Sequence, residues 1–358
     1  MSRFLASAGA RVIDKTSEYL QVPSVVGFER PFLDFLERDF RRLGCEVERE
    51  SKILAVDGGS RSPRILSCHI DRHGLISTGS DGFQYAAYVA KKLRYAEDVI
   101  ATRSFLKKIC DRFINHQVCA YEESSGEILQ AGVIRHAHFC DLRENLVFSI
   151  DGIGTVPINT PISYSRECHQ DDGYVSGQLD NAISAAVIYF LFEHGFRGRA
   201  FFTAEEEIGK SWQHLLAYLR RQDVASTEFI VLDTSPFPGP DAADSGLVVL
   251  RNKDASGTFN SDLVATLRRI CETEEIPFQI KDEFIEKGNE ELVAAGKKPH
   301  GLGRTELGRL VEGSSGKWNG ATVQLPTFNY HRNDESTTEL AIVQQLKLLA
   351  GALDLSIP

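Results

Sequence analysis

Histidines and carboxylates follow the ends of several predicted strands, where they could hold metal ions. His69 and Asp71 follow one strand, the acidic run Glu205–Glu207 follows another, Asp233 follows a third and His331 a fourth. In open α/β sheets, ligands bind beyond the carboxyl ends of the strands. A mixed set of imidazole and carboxylate groups suits Zn, Co or Mn. The sequence therefore predicts a divalent cation site at one edge of a sheet.

The number of carboxylates favours a pair of cations, and Asp180 adds one more at the start of a predicted helix. Two cations roughly 3.5–4 Å apart repel each other, and carboxylate ligands offset that charge. Such a pair activates a water molecule, and a carboxylate outside the metal ligands must then accept its proton. Adjacent glutamates can supply one ligand and one base, although spacing alone does not say which is which. Asp71 lies two residues beyond His69 and could orient its imidazole.

Each of these motifs alone has an ordinary structural interpretation. An acidic run often begins a helix, where it interacts favourably with the helix dipole. Asp180 and Asp233 could each be a helix N-cap. His331 stands in a polar segment that could be a plain surface loop. Their joint occurrence, each near the end of an α/β element, favours the cation site over these readings.

We interpret the remaining histidines as structural. His136 and His138 alternate along a predicted strand, which places both side chains on one face. The others lack a partner pattern, and they are His73, His116, His169, His194, His214 and His300.

The composition excludes several classes of protein. The chain has 358 residues and a formal net charge of −10, so neither a nucleic-acid backbone nor an anionic membrane surface is an expected partner. The seven cysteines are irregularly spaced with no CxxC pair, which indicates reduced thiols and a cytoplasmic protein. The first ten residues lack a secretory apolar segment, and the longest apolar run, residues 185–192, is too short to span a bilayer.

Strands alternate with helices over residues 1–77 and 172–358, which predicts an α/β fold with a mainly parallel mixed sheet between helices. Residues 78–171 carry short segments and many turn signals, so we predict an inserted, smaller β-rich domain there, for oligomerisation or substrate access. Residues 181–194 are nearly all apolar and predict a buried helix. Residues 10–20, 31–43, 104–115, 211–221, 260–274, 305–311 and 336–355 predict further helices. Strands are expected at 45–50, 53–56, 64–68, 142–156, 161–164, 200–203, 229–232, 246–250, 278–280 and 321–325.

Six motifs resemble, in chain order, those of the co-catalytic metallo-aminopeptidases, a family that includes the tetrahedral (TET) aminopeptidases and the endoglucanase M-like glutamyl aminopeptidases. The segment SCHIDRHG is similar to the family pattern AHxDxxG, FTAEEEIG to FTxxEEVG, and VLDT to AVDxT. The motifs lie at residues 23–29, 67–74, 177–181, 202–209, 231–234 and 303–308. The resemblance implies a zinc exopeptidase-like catalytic domain with an inserted β-domain between His69 and Asp180.

The resemblance also implies a role for each candidate residue. His69 and Asp233 would complete one metal site, and Glu207 and His331 the other, with Asp180 bridging the two ions. Glu206 would be the general base and Asp71 the residue that orients His69. The implied cofactor is two divalent metal ions, with Zn first and Co or Mn as alternatives.

The implied function is removal of N-terminal residues from short peptides, by a homo-oligomer. Three residues depart from the family pattern around the ligands, namely Arg72, Glu306 and Arg332. These departures keep open a related deacylase, carboxypeptidase or amidohydrolase that acts on a non-peptide amide, with a peptide or small amide as the substrate in either case. A binding protein without catalytic activity is the third possibility, and the complete ligand set argues against it.

Overall fold

The structure is a computed structural model that describes residues 3–59, 62–79, 82–96, 102–224 and 228–356, with side chains from residue 7 onwards. The parts of the predicted domain ranges that fall between these segments lie outside the described residues. The helices are α1 (Arg3–Leu20), α2 (Arg30–Arg42), α3 (Ala86–Tyr95), α4 (Arg103–Phe113), α5 (Leu179–Glu193), α6 (Ser211–Arg221), α7 (Asp241–Asp244), α8 (Ser261–Thr273), α9 (Lys281–Ala294), α10 (Glu306–Gly313) and α11 (Glu339–Ala352).

Seventeen strands are described, and eight of them form one mixed sheet. They are β1 (Glu46–Arg49), β2 (Ile53–Asp57), β3 (Arg64–His69), β4 (Leu75–Ser77), β5 (Phe83–Tyr85), β6 (Gln117–Tyr121), β7 (Ile128–Cys140), β8 (Asn145–Asp151), β9 (Pro161–Tyr164), β10 (His169–Asp171), β11 (Tyr174–Gly177), β12 (Arg199–Thr203), β13 (Glu228–Pro236), β14 (Val248–Leu250), β15 (Phe278–Ile280), β16 (Gly320–Thr327) and β17 (Glu335–Thr338).

The large sheet has the order β1-β2-β12-β3-β13-β16-β14-β15. Its central strands β12, β3, β13 and β16 run parallel, while β2 and β14 pair with them in the antiparallel direction. The predicted α/β class with a mixed sheet and helices is confirmed. Because the central strands are parallel, their carboxyl ends meet at the same edge of the sheet.

The helices pack against this sheet through an apolar core. Every residue of α5 from Leu179 to Phe192 is buried, as expected for a helix that is apolar on all sides. Phe40 of α2 joins three elements, since its ring centroid lies 5.7 Å from that of Tyr189, 5.2 Å from that of Phe192 and 5.1 Å from that of Phe202. This packing fixes α5, and therefore the residues at its start, against the end of the sheet.

The segment between β3 and β11 contains a closed barrel of six strands in the order β4-β5-β8-β7-β6-β9. Closure is made by β4 and β9, where Leu75 lies opposite Ile162. The barrel therefore begins before residue 78, and β10 lies instead in a separate three-stranded sheet, in which β11 pairs with β10 on one side and with β17 on the other. The domain division at 78–171 stays a prediction.

Two local predictions were wrong or incomplete. Residues 336–338 were assigned to the terminal helix, but they lie in β17, and the hydroxyl of Thr338 then caps α11 by accepting from the backbone N–H of Ala341. Serine and threonine compete with the helical backbone for hydrogen bonds, which is why they favour this capping position. The sequence analysis also missed the helices α3, α7 and α9 and the strands β4, β5, β6, β10 and β11. Of these, α9 buries only Lys281 and Asp282, so it lacks the apolar stripe that marks a helix in sequence.

Candidate metal centre

The polar residues predicted at strand ends are brought to one edge of the sheet. His69 is the last residue of β3 and lies opposite Thr203 of the parallel strand β12, two residues before the acidic run begins at Glu205. Asp233 lies in the neighbouring strand β13, and His331 lies in the turn between β16 and β17. Asp180 stands at the start of α5, where the backbone is not yet helical. Five separate elements therefore supply the cluster.

The first group of potential ligands consists of His69, Asp180 and Asp233. The Nε2 atom of His69 lies 3.1 Å from Asp180 Oδ1 and 3.4 Å from Asp233 Oδ1. His69 and Asp180 are buried, and Asp233 keeps 19% of its side chain exposed. These separations match ligand atoms that surround a common cation at about 2.0–2.2 Å.

The second group shares Asp180 with the first. The Nε2 atom of His331 lies 3.1 Å from Asp180 Oδ2 and 3.6 Å from Glu207 Oε1. One oxygen of Asp180 therefore faces each histidine, which is the arrangement of a bridging carboxylate.

Several of these atoms converge without forming hydrogen bonds. Within the described part of the chain, Asp180 Oδ1, Glu207 Oε1 and His331 Nε2 are all buried and have no hydrogen-bond partner. Buried polar atoms are normally satisfied, so a group of unpartnered acceptors that face one another fits a binding site for a cation. The donor set of two imidazoles and three carboxylates, which are His69, His331, Asp180, Glu207 and Asp233, fits divalent cations such as Zn, Co or Mn.

The same convergence perturbs the pKa values of the ligands. Burial lowers the pKa of His69, but its contacts with Asp180 and Asp233 outweigh that effect and hold the pKa well above its usual value. The pKa of Glu207 is raised to about 7, chiefly by burial, while His331 opposes the shift and the negative charge of Asp180 adds to it. A divalent cation would relieve this repulsion by favouring the ionised carboxylates.

Asp71 is buried beside the first group and holds the acidic run in place. Its Oδ1 accepts a hydrogen bond from the backbone N–H of Glu206 at 2.9 Å, and its Oδ2 accepts one from that of Glu207 at 3.0 Å. The Nδ1 atom of His69 lies 3.3 Å from the carbonyl oxygen of Asp71 and 3.6 Å from its carboxylate. Asp71 therefore contacts the backbone of Glu206 and Glu207 as well as the ring of His69. Its role in orienting His69 stays a prediction.

Glu206 lies next to the ligands but belongs to neither group. It begins a short 3-10 helix, Glu206–Ile208, and its side chain is 17% exposed. Burial raises the pKa of Glu206 well above its usual value, and the nearby carboxylates of Glu207 and Asp233 add to the effect. Arg309 Nη1 lies 3.4 Å from Glu206 Oε1. A carboxyl group with a raised pKa at the rim of a cation site is suited to accept and return a proton.

The first glutamate of the run, Glu205, has a structural environment of its own. Its backbone is left-handed with φ of 72°, and its buried carboxylate contacts Lys52 at 3.0 Å, Arg94 at 2.7 Å and His214 at 3.0 Å. The hydroxyl of Tyr95 also donates to it. Arg94 and Tyr95 end α3, so this network ties the acidic run to the segment that carries the barrel.

His73 is a residue of the site that the sequence analysis assigned to structure. Its Nε2 lies 2.9 Å from Glu207 Oε2 and 2.8 Å from His331 Nδ1, so it forms a group with both. Burial lowers its pKa to about 3, with a contribution from Arg112, and therefore the ring is neutral. The available signal was the position of His73, four residues after His69 in the same motif.

Other singled-out residues lie away from the ligands. His136 and His138 are exposed on β7, as predicted for a strand. Arg72 turns toward the N-terminal loop, where its Nε donates to the hydroxyl of Ser24 at 2.7 Å. Glu306 is buried behind the site and accepts from the hydroxyl of Ser67 at 3.1 Å.

The third departure, Arg332, pairs with Asp334 at 2.9 Å on a partly exposed turn. None of the three departures thus contributes to the two ligand groups.

All seven cysteines are described, and each is a free thiol. Among the helices of the described residues, none has the length and apolar character needed to cross a membrane.

The parallel-centred sheet and the clustered imidazoles and carboxylates at its edge have the form expected of a metallohydrolase of the α/β class. A model of the M42 glutamyl aminopeptidase family matches residues 153–308, a range that includes Asp180, the acidic run and Asp233. The family resemblance predicted from the motifs is thereby confirmed, and the match supports the prediction of a metallo-aminopeptidase. A search of curated proteins finds no match.

Solved structures of similar fold cover nearly the whole chain. A TET aminopeptidase from the marine sediment archaeon Thaumarchaeota archaeon SCGC AB-539-E09 superposes with a TM-score of 0.69 at 14% identity, over 96% of this chain and 95% of that one. An aminopeptidase from Desulfurococcus kamchatkensis gives 0.68 at 15%, over 96% and 94%. The TET1 peptidase of Pyrococcus horikoshii, which assembles into a tetrahedron or an octahedral shell, gives 0.63 at 17%, over 95% and 98%. At these identities the likeness establishes the fold.

Proposed function

We propose that this protein is a metal-dependent aminopeptidase that binds two divalent cations. The observation that carries the proposal is the position of Asp180, whose two carboxylate oxygens each lie 3.1 Å from a different histidine. His69, Asp180 and Asp233 would hold one cation, and Asp180, Glu207 and His331 the other. The match to the M42 family supports peptides with a free N-terminus as the substrate class.

In the proposed reaction the chain's own residues move the proton and fix the geometry. When bound, a pair of divalent cations lowers the pKa of water and polarises a carbonyl oxygen. Glu206 accepts the proton of the attacking water and passes it to the leaving amine, so that water adds across the peptide bond and an amino acid departs. Asp71 keeps Glu206 and Glu207 in register by holding both of their backbone N–H groups.

Cation content and substrate choice test the proposal together. The protein is stripped with a chelator, reloaded with Zn, Co or Mn, and its bound metal is counted by elemental analysis. We expect about two cations per chain and hydrolysis of aminoacyl-anilides that disappears on chelation. A set of N-acyl amino acids is the comparison, because cleavage of that set alone would indicate a deacylase. Metal content that stays below two per chain would refute the two-cation site.

A cytoplasmic location stays a prediction. We also propose that the chain forms a homo-oligomer. Six large apolar side chains of the barrel region are exposed, and their exposed fractions run from 45% to 93%. They are Leu93, Phe105, Ile128, Leu129, Leu142 and Ile158. Apolar surface of this kind commonly marks contacts with another protein. Light scattering on the purified protein should give a mass that is a multiple of 39.8 kDa, and a monomeric mass would contradict the proposal.

A further inference from the structure

The ring of His73 connects the second ligand group to the barrel. Its Nε2 lies 2.8 Å from His331 Nδ1, and its Nδ1 lies 2.7 Å from the hydroxyl of Tyr85 in β5. The backbone carbonyl of His73 accepts from the side-chain amide of Gln178 at 2.7 Å, which fixes the main chain at this point. His73 is 5% exposed, so water does not compete for these contacts.

The proton positions follow from which nitrogen of His331 faces the ligands. Its Nε2 faces Asp180 and Glu207, so Nε2 is the atom that would bind a cation. A neutral imidazole that uses Nε2 as a ligand carries its proton on Nδ1. That N–H points at His73 Nε2, which must then be an acceptor, and His73 carries its own proton on Nδ1, where Tyr85 can accept it.

We propose that His73 is a positioning residue for His331, and that Tyr85 in turn holds His73. Histidines that bind metal ions regularly donate their second ring N–H to a partner that fixes the ring and its tautomer. Here the partner is an imidazole, and a tyrosine of the barrel completes the chain of contacts. The inference rests on the proposed function, because it assigns a role around the second cation.

A direct ligand role for His73 is the main alternative. Its Nε2 lies 2.9 Å from Glu207 Oε2, which is also compatible with a shared cation. However, the same Nε2 lies against the Nδ1 side of the His331 ring, and the Nε2 side of that ring is the one that faces Asp180. A cation on His73 Nε2 would use the lone pair that the Nδ1–H of His331 needs as its acceptor, so the positioning role is the one that gives both nitrogens of His331 a partner.

Cobalt titration of variants tests the proposal. The probe is Co²⁺ added to chelator-treated protein, followed by calorimetry and by the visible absorption of the bound ion. We expect His73→Phe to weaken one of the two binding steps by about 10–100-fold, the usual effect of removing such a partner. Both cations should still bind at saturation. Tyr85→Phe removes a single hydroxyl and should weaken the same step by less.

Two further variants make the test specific. His73→Gln can still accept a hydrogen bond, so it should recover part of the affinity that His73→Phe loses. His138→Phe makes the same substitution at an exposed position on β7 and should leave both binding steps unchanged. If His73 had only a structural role, His73→Gln would not recover the affinity of one cation-binding step alone.

The outcomes separate this inference from the proposed function. Unchanged affinities in His73→Phe would overturn the positioning role while leaving the two-cation site intact. A stoichiometry that falls to one cation at saturating Co²⁺ would also overturn it, because it would make His73 a direct ligand. A wild-type protein that binds fewer than two cations would refute the proposed function itself, and with it this inference.

Discussion

Replacing Glu206 with glutamine removes the proposed proton acceptor and leaves both groups of cation ligands unchanged. The glutamine keeps the size of the side chain and an oxygen that can face Arg309, which lies 3.4 Å away in the wild type. The backbone N–H of residue 206 still donates to Asp71, so the turn that positions Glu207 should persist. The substitution therefore isolates the proton transfer.

The expected loss follows from the proton transfer alone. A positioned general base contributes about 10²–10⁴-fold to a rate, and each tenfold is about 1.4 kcal/mol, so the barrier should rise by about 3–5 kcal/mol. Because the reacting form of Glu206 is the carboxylate, wild-type activity should fall as the pH drops through its pKa, which burial raises and which bound cations would lower.

The assay is the hydrolysis of an aminoacyl-anilide by wild type and Glu206→Gln, each with its bound cations counted. We expect kcat to fall and the cation content to stay equal. Glu123→Gln, the same substitution at an exposed loop position, is the matched control and should retain full activity. If Glu206→Gln kept kcat within tenfold of wild type at equal cation content, Glu206 would not be the base.

Three further predictions concern the ligands, the acidic run and the core. Asp233→Asn should weaken the binding of one cation, and Glu207→Gln should weaken the binding of the other. Calorimetry should therefore show one weakened cation-binding step in each variant. If both binding steps were weakened in both variants, the cations would not occupy separate sites. Glu205→Gln should destabilise the fold by about 2 kcal/mol at pH 7 in denaturant unfolding, since it removes a buried carboxylate that pairs with Lys52, which is 18% exposed, and with Arg94, which is 37% exposed. Burial raises the pKa of Glu205, but its contacts with His214 and Lys52 outweigh that effect and lower the pKa. The difference in unfolding free energy between wild type and Glu205→Gln should therefore shrink below about pH 4.3, where the unfolded chain binds the proton first. A difference that does not depend on pH would refute the ion-pair explanation. Phe40→Ala should cost about 3–5 kcal/mol by the same measurement because it opens a cavity between two helices and the sheet, and a cost below 1 kcal/mol would show that the core closes around it.

The order of elements around the site could be read from the sequence because each is marked locally. Local apolar patterns predict three of these elements, which are the strand before His69, the helix after Asp180 and the helix at 211–221. The spacing of the apolar residues in each follows the period of the element and the side of it that is buried. The barrel was harder to predict. Its strands are short, and its closure through the pairing of β4 with β9 joins residues more than 80 positions apart, which no local pattern records.

His73 shows the same limit within the site. It stands in the motif that supplies His69 and Asp71, yet nothing in that motif says which way its ring turns. Its partners His331 and Tyr85 come from the turn after β16 and from the barrel, and only the folded chain brings them to 2.8 Å and 2.7 Å of its two nitrogens. Contacts between side chains of distant elements depend on packing that a linear pattern does not contain.

The sequence by itself determined the chemical types available and the elements that present them. Imidazoles and carboxylates placed at the ends of apolar strands predict a cation site, because parallel strands end at one edge of a sheet. The tertiary structure decided how those groups face one another. It turned the two oxygens of Asp180 toward different histidines, assigned Glu205 to an ion network, and brought His73 to the second ring nitrogen of His331. Those choices depend on distances of a few ångströms between five elements, and such distances are fixed only when the core packs.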